Sequence, residues 1–198
     1  MFNDKFKKMK NLIAFKAFVV GFFALVGFSL ISCVDDYEPI PVKLEDVNGN
    51  YKARLFTTQG NSKDEKTVDL SVKKDTVIFN DFPVKEIVKT VVTNPVKAEA
   101  ALTAIGKVKY KLNYSSTLNT ANNVIELSFA PKTLVLQIPV DGVTKNVVVK
   151  ITAPQKGFYV GQDRSLRFGI VAEKITVDGV DLTPYEVIKY DFPYGLKN

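Results

Sequence analysis

Apolar and polar side chains alternate along most of this chain after residue 47, and this alternation limits the folds that it can adopt. Between residues 67 and 72, valine or leucine alternates with threonine, aspartate or serine, and the same period returns between residues 108 and 114. Successive side chains of a strand point to opposite faces of a sheet, so a period of two predicts strands with one buried face. Turn sequences such as Asp141-Gly142 and Asp178-Gly179 separate the runs. The pattern therefore predicts about nine strands in an antiparallel arrangement.

One segment, residues 83–93, departs from the alternation. Its apolar residues recur at positions three, four, seven and eight after Val84, which places them on one face of a helix. Pro83 suits the first turn of a helix, and Asn94-Pro95 ends it. We expect one amphipathic helix packed on the sheet. The prediction is a mainly β fold of the α+β kind, either an antiparallel β-sandwich or a partly open barrel.

The first 32 residues have the pattern of a secretory signal peptide, which is a helix that is cleaved off. Lysines at positions 5, 7, 8 and 10 precede an uncharged apolar run from Ala17 to Ile31, and a basic segment followed by a short apolar one is typical of such leaders. The run is shorter than the about 20 residues that a helix needs to cross a bilayer. An uncleaved transmembrane helix is the alternative.

The apolar run ends at Leu30-Ile31-Ser32-Cys33, which contains the only cysteine of the sequence. This motif resembles the lipobox of bacterial lipoproteins, in which the chain is cut before the cysteine and the thiol carries a diacylglycerol. The resemblance implies that Cys33 is acylated, begins the mature protein and holds it to a membrane. Asp35 and Asp36 resemble the export signal of Bacteroidetes-type outer-membrane lipoproteins, which implies display on the cell surface. A solvated acidic spacer is the alternative.

These features divide the chain into a leader of residues 1–32, an acidic, proline-containing tether of residues 33–46, and one β-rich domain of residues 47–198. The leader holds five of the 27 basic residues and one of the 21 acidic residues. Its removal lowers the formal net charge from +6 to +2. A charge this small does not indicate nucleic-acid binding.

Two further motifs resemble known families. The segment Phe82-Pro83-Val84 and the ending at residues 184–192 resemble small lipoprotein families of unknown function, which supply no active site to transfer. The segment Gly49-Asn50-Tyr51 resembles the first strand of calycin-like barrels. That second resemblance implies a barrel that holds a small apolar ligand.

The residue types that the sequence lacks exclude several chemistries. It has no histidine and a single cysteine, so it cannot form a Ser-His-Asp or Cys-His catalytic site, and it lacks the usual zinc ligands. We therefore expect no metal and no cofactor. Carboxylates are plentiful, so a hydrolase that uses only two carboxylates stays an alternative. The favoured interpretation is a non-catalytic protein.

Two groups of residues could contact a partner. Lys107, Lys109 and Lys111 alternate along one predicted strand, where they could meet an anionic glycan or a lipid headgroup, or simply face solvent. Tyr159 and Tyr194 belong to an aromatic set that could stack on sugars or fill the core. We interpret the chain as a lipid-anchored binding or accessory module of the outer membrane. Its partner would be an unidentified envelope protein or glycan.

Overall fold

The computed structural model describes residues 40–198, which form a mainly β domain with two α-helices and one short 3-10 helix. The helices are the 3-10 helix at Leu44–Val47, α1 at Lys85–Val91 and α2 at Pro95–Ile105. The strands are β1 (Gly49–Gln59), β2 (Ser62–Val72), β3 (Thr76–Phe79), β4 (Tyr110–Asn119), β5 (Val124–Ala130), β6 (Leu134–Val140), β7 (Val143–Thr152), β8 (Gly157–Val160), β9 (Ser165–Val177), β10 (Val180–Asp181) and β11 (Ile188–Lys197). The predicted mainly β fold with a helix near residues 83–93 is confirmed.

Eight of these strands close into a barrel. Their order is β1-β2-β3-β4-β5-β8-β9-β11, and every neighbouring pair is antiparallel. The last strand, β11, pairs with β9 on one edge and with β1 on the other, so Tyr190 lies between Ile170 and Thr57. This double pairing leaves no gap, and the barrel is closed rather than partly open or a sandwich.

The alternation predicts about nine strands, and the two that it misses are β8 and β10. These strands contain four and two residues. Runs this short hold too few side chains to establish a period of two. Their positions are set instead by pairing with β9.

Aromatic rings fill the interior of the barrel. The ring of Phe79 lies 5.3 Å from that of Phe82 and 5.6 Å from that of Phe192, and Phe168 stacks on Phe192 at 4.4 Å. All four side chains are buried. Three of them occupy inward positions of their strands, so the alternation in the sequence produces this core directly.

Helix α1 and the residues before it cover one end of the barrel, which we call the helix end. Phe82 enters the interior, where its ring lies 4.9 Å from that of Tyr110 and 5.4 Å from that of Tyr190. Ile87 and Val88 are fully buried below the helix. The apolar face that the sequence predicts for residues 83–93 is therefore the face that closes the barrel.

The segment before β1 covers the opposite end, which we call the tether end. Val47 of the 3-10 helix is fully buried there, and its carbonyl accepts a hydrogen bond from the hydroxyl of Tyr51. Val42 is also buried and donates its backbone N–H to Oδ1 of Asn123 at 2.8 Å. Residues 42–46, which the sequence analysis assigns to the tether, thus pack on the barrel together with Val47.

The second half of β9 leaves the barrel and pairs with β7, which pairs with β6. Helix α2 packs on this extension through Ala98 and Ala101, whose small side chains let it approach the sheet. Asn94 caps the helix by accepting a hydrogen bond from the backbone N–H of Lys97 at 3.1 Å. The extension adds a second, smaller layer beside the barrel.

Candidate functional site

A row of exposed aromatic and arginine side chains crosses the outer wall of the barrel, and we call it the wall patch. It consists of Phe158 on β8, Arg167 on β9, Tyr194 on β11 and Arg54 on β1. Phe158 pairs directly with Arg167, and Tyr194 pairs directly with Arg54. The Arg167 guanidinium carbon lies 5.6 Å from the centre of the Tyr194 ring. Four neighbouring strands therefore contribute one side chain each to a continuous row.

The two rings of the wall patch are unusually open to solvent for their type. Phe158 is 40% exposed and Tyr194 is 38% exposed. Aromatic side chains bury large areas when they find a partner, so exposing them on a flat sheet leaves that stabilisation unused. The patch therefore exposes apolar area that no other part of the described domain covers.

Contacts beside the patch hold Arg167 in place. Its guanidinium pairs with Asp163, and its Nε donates to Oγ of Ser165 at 3.0 Å. Ser165 in turn donates to Asp163. Partial burial opposes ionisation of Asp163, but the hydrogen bonds from Ser165 and Arg167 outweigh it and lower the pKa of the carboxyl group. The carboxylate therefore stays charged at neutral pH and keeps the arginine oriented.

Arg54 is held in a similar way at the other end of the row. Its guanidinium pairs with Glu65 of β2 and lies 4.9 Å from the centre of the Phe56 ring. The ammonium of Lys63 lies 4.4 Å from the same ring. Phe56 is half-buried and continues the aromatic surface beyond the patch through these cation–π contacts.

An ion pair borders the patch beside Phe158. Glu126 on β5 pairs with Phe158 in the strand register, and its carboxylate accepts hydrogen bonds from Lys156 at 2.7 Å and Asn119 at 2.9 Å. The hydrogen bond from Lys156, followed by that from Asn119, lowers the pKa of Glu126. The charges around the rings are therefore largely paired with one another.

This arrangement can bind a surface but is poorly suited to acid–base chemistry. Planar rings and guanidinium groups offer stacking faces and fork-shaped hydrogen-bond donors. The carboxylates near them are held in the ionised form, whereas a general acid must keep its proton near neutral pH. The wall patch therefore offers stacking faces and hydrogen-bond donors rather than a protonated carboxylic acid.

A family model described as Domain of unknown function (DUF4840) matches residues 46–177. The chain belongs to the DUF4840 family. No curated protein and no solved structure matches it. The matched region contains three members of the wall patch, Arg54, Phe158 and Arg167. It ends before β11, the strand of this DUF4840 barrel that carries Tyr194 and closes the ring.

The predicted contact residues fall in different places on the DUF4840 barrel. Tyr194 lies in the wall patch, but Tyr159 is 2% exposed and points into the barrel, so it is not available at the surface. The strand phase is the reason, because β8 directs Tyr159 inward and its neighbour Phe158 outward. Partial burial raises the pKa of Tyr159.

The three predicted lysines lie away from the wall patch. Lys107 and Lys109 belong to the connection between α2 and β4, and Lys111 lies on β4. All three are exposed. In the ring order, β4 stands opposite β11, so these lysines and Tyr194 occupy opposite sides of the barrel. Cys33, Asp35 and Asp36 lie outside the described residues.

Sequence reasoning missed Arg167 and Arg54 as neighbours of the aromatic set. These arginines are far apart in the chain, and they meet Phe158 and Tyr194 only because β8, β9, β11 and β1 are neighbours in the barrel. Nothing local indicates which strands lie side by side.

Within residues 40–198, no group of three or more His, Cys, Asp or Glu side chains is placed to hold a metal ion. The same residues contain no helix that is both long enough and apolar enough to cross a membrane.

Proposed function

We propose that this protein is a lipid-anchored, non-catalytic binding module of the bacterial cell envelope. Acylated Cys33 would attach it to the outer membrane, Asp35 and Asp36 would direct it to the cell surface, and the wall patch would bind a partner. The observation that carries the binding role is the exposed row of Phe158, Arg167 and Tyr194 on a rigid barrel wall.

The composition of the patch favours a protein partner over a glycan. Tyrosine and arginine dominate the binding energy of protein interfaces, where they lie in the centre of a contact that excludes water. The ion pairs Arg54–Glu65 and Lys156–Glu126 would then form the polar rim. A glycan partner is the other outcome that the experiment below distinguishes.

The filled interior favours this function over a barrel that holds a small apolar ligand. Ligand pockets in barrels occupy the space between the strands. Here that space contains the rings of Phe79, Phe168 and Phe192, which contact one another. An internal ligand would have to displace them.

The state of the carboxylates favours a non-catalytic role over a carboxylate-only hydrolase. Such an enzyme needs one carboxylic acid that stays protonated near neutral pH. Hydrogen bonds from arginine or lysine lower the pKa of Glu65, Glu126 and Asp181. Each of these groups is therefore ionised when a general acid would need its proton.

Site-specific photo-crosslinking in intact cells tests the binding role. A photoreactive amino acid at Phe158 should capture a defined partner, and the same residue at Lys111 on β4, outside the wall patch, should not. Arg167→Ala should reduce capture from position 158 at least tenfold, because it removes the group that organises the row. Equal capture from positions 158 and 111, or capture from position 158 that Arg167→Ala leaves unchanged, would count against the proposal.

The nature of the captured material separates the two partner classes. A product that is digested by protease supports a protein partner. A product that resists protease but is shortened by polysaccharide-degrading enzymes would show a glycan partner, and the protein assignment would then be wrong.

Two measurements test the anchor and the location independently. Cells fed radioactive palmitate should label the wild-type chain and not Cys33→Ala. Protease added to intact cells should cut the wild-type chain, whereas Asp35→Ala/Asp36→Ala should become protected. Label on Cys33→Ala would contradict the lipobox assignment.

A further inference from the structure

Three separate segments converge at the tether end of the barrel around the residues that enter it. Asn123 of the β4–β5 turn accepts from the N–H of Val42 and donates to the carbonyl of Ile40 at 3.0 Å. Lys74 of the β2–β3 turn donates its backbone N–H to Asn48, and Lys197 at the end of β11 donates to the carbonyl of Asp46. The entering chain is therefore held firmly in one place.

Several apolar side chains at this end are exposed and do not belong to the buried core. Ile40 is 79% exposed, Leu44 is 46% exposed and Leu118 is 40% exposed. We call these three residues the tip patch. A groove of about 310 Å³ runs beside them, between Pro41 and Val42 of the entering chain and Leu118 and Thr120 of the β4–β5 hairpin. The tip patch thus surrounds the point where the tether reaches the barrel.

Lysines stand beside the tip patch. Lys43 lies between Ile40 and Leu44 in the chain. Lys73 and Lys74 belong to the β2–β3 turn that contacts Asn48. All three are exposed, and none of them forms an ion pair with another described residue. Apolar side chains flanked by lysines match the two layers of a membrane surface, the acyl region and the phosphates.

The length of the tether restricts how far this end can be from a membrane. Six residues lie between Cys33 and Ile40, which makes seven residue-to-residue steps, and an extended chain spans at most about 3.3–3.6 Å per step. If Cys33 is acylated, Ile40 therefore lies within about 25 Å of the bilayer surface in any conformation of the tether.

We propose that the tip patch rests on the same bilayer that holds the acylated Cys33, with Ile40, Leu44 and Leu118 in the interfacial layer and Lys43, Lys73 and Lys74 against lipid phosphates. This inference rests on the lipid anchor of the proposed function. It orients the barrel with its helix end outward. It also holds the wall patch beside the membrane, where it faces neighbouring envelope proteins.

A fluorescence experiment on the acylated full-length protein tests this orientation. Because acylation consumes the thiol of Cys33, Leu118→Cys introduces the one free thiol for an environment-sensitive dye. Ser62→Cys places the same dye on the β1–β2 hairpin at the helix end as a matched control. The protein is incorporated into vesicles of phosphatidylethanolamine and phosphatidylglycerol that contain brominated lipid.

The dye at position 118 should shift to the blue and be quenched several-fold by brominated lipid, and the dye at position 62 should do neither. Bound protein in which both dyes report water would overturn the inference and leave the anchor intact. Protein that stays in solution and does not bind the vesicles would instead show that the anchor itself is wrong.

A second pair of variants tests the apolar contact without relying on position 118 alone. Ile40→Ser/Leu44→Ser should reduce quenching of the dye at position 118 several-fold while the protein stays bound through Cys33. Val135→Ser/Val143→Ser changes two equally exposed apolar residues of the sheet extension and should leave quenching unchanged. Equal effects from the two pairs would contradict a specific role for the tip patch.

Discussion

The two ends of the barrel are closed by different physical means. At the helix end, Phe82 inserts among other rings and α1 buries a continuous apolar face. At the tether end, a 3-10 helix with one buried valine is held by hydrogen bonds from the side chains of Tyr51 and Lys197. The first closure depends on buried area and the second on the geometry of individual polar contacts.

This difference affects how each end responds to mutation. Buried area is lost in proportion to the atoms removed, so a large substitution at the helix end has a large cost. A hydrogen bond contributes less in net terms, but leaving one buried partner unpaired costs more than the bond contributes. The helix end should therefore dominate global stability, and the tether end should govern local opening.

The largest effect should come from Phe82→Ala at the helix end. Its ring is 1% exposed and contacts Phe79, Tyr110 and Tyr190, so its loss leaves a cavity among rigid rings. We expect a decrease of about 3–5 kcal/mol in the free energy of unfolding, measured by urea denaturation. Phe158→Ala on the outer wall is the control and should cost less than about 1 kcal/mol. Similar costs for both variants would contradict the packing described here.

The next effect concerns alkaline pH and involves buried tyrosines of both ends. Burial raises the pKa of Tyr110 at the helix end and of Tyr114 on the same strand to about 12, from an ordinary value of 10.0. The unfolded chain therefore loses these protons first as the pH rises. The contribution of these two tyrosines to the free energy of unfolding is fully present below pH 10. It decreases between pH 10 and 12, by about 1.4 kcal/mol per pH unit for each tyrosine.

Denaturation at a series of pH values between 8 and 12 checks this expectation. Tyr114→Phe should give a shallower decrease than the wild type, because it removes one of the groups that titrate on unfolding. Tyr194→Phe removes the same hydroxyl from a tyrosine that is 38% exposed and serves as the control for the substitution itself. An unchanged slope for Tyr114→Phe would refute the assignment.

The helix end could be predicted from the sequence, and the tether end could not. The spacing of Val84, Ile87 and Val88 lies within one helical segment, so a local pattern reveals which face is buried. The sequence assigns residues 33–46 to a tether because two prolines and several charges resemble a linker. The contact that holds Val42 comes from Asn123, which is 81 positions away, and no local pattern contains it.

Asn123→Ala should have a moderate effect that is concentrated at the tether end. The variant loses hydrogen bonds to Val42 and Ile40, and it places alanine at a φ of 50° that asparagine tolerates better. We expect a cost of about 1–3 kcal/mol. Hydrogen exchange measured by mass spectrometry should become faster in residues 40–47 and stay unchanged in α1.

Asn123→Gly separates the two causes of that cost. Glycine accepts the positive φ without strain, so this variant loses only the hydrogen bonds and should fall between the wild type and Asn123→Ala. Exchange that accelerates equally in α1 and in residues 40–47 would show that the two ends do not open independently.

The wall patch was predicted only in part, for a related reason. Tyr194 was recognised as an aromatic side chain suited to contact, and its neighbours Arg167 and Arg54 were not. Strand order decides which side chains are adjacent, and the last strand, β11, pairs both with β9 and with the first strand, β1. Composition can name residue types that bind partners, but the closure of the barrel decides which of them form one surface.

The smallest effect compares one substitution at both ends. Tyr190 at the helix end is buried, and its hydroxyl has no hydrogen-bond partner among the described residues, whereas the hydroxyl of Tyr51 at the tether end donates to the carbonyl of Val47. Removing an unpaired buried hydroxyl relieves a desolvation cost, so Tyr190→Phe should stabilise the protein by up to about 1 kcal/mol. Tyr51→Phe leaves the Val47 carbonyl without its partner and should destabilise it by about 1–2 kcal/mol.

Urea denaturation of the two phenylalanine variants in the same buffer measures this difference in sign. Both substitutions remove one oxygen from a side chain that is 1% exposed, so the loss of volume is the same and only the hydrogen bonding differs. If both variants lose stability equally, packing around the hydroxyl decides at each end, and the contrast between an apolar closure and a hydrogen-bonded closure no longer holds. Opposite signs would show that polar contacts are needed at the tether end and dispensable at the helix end.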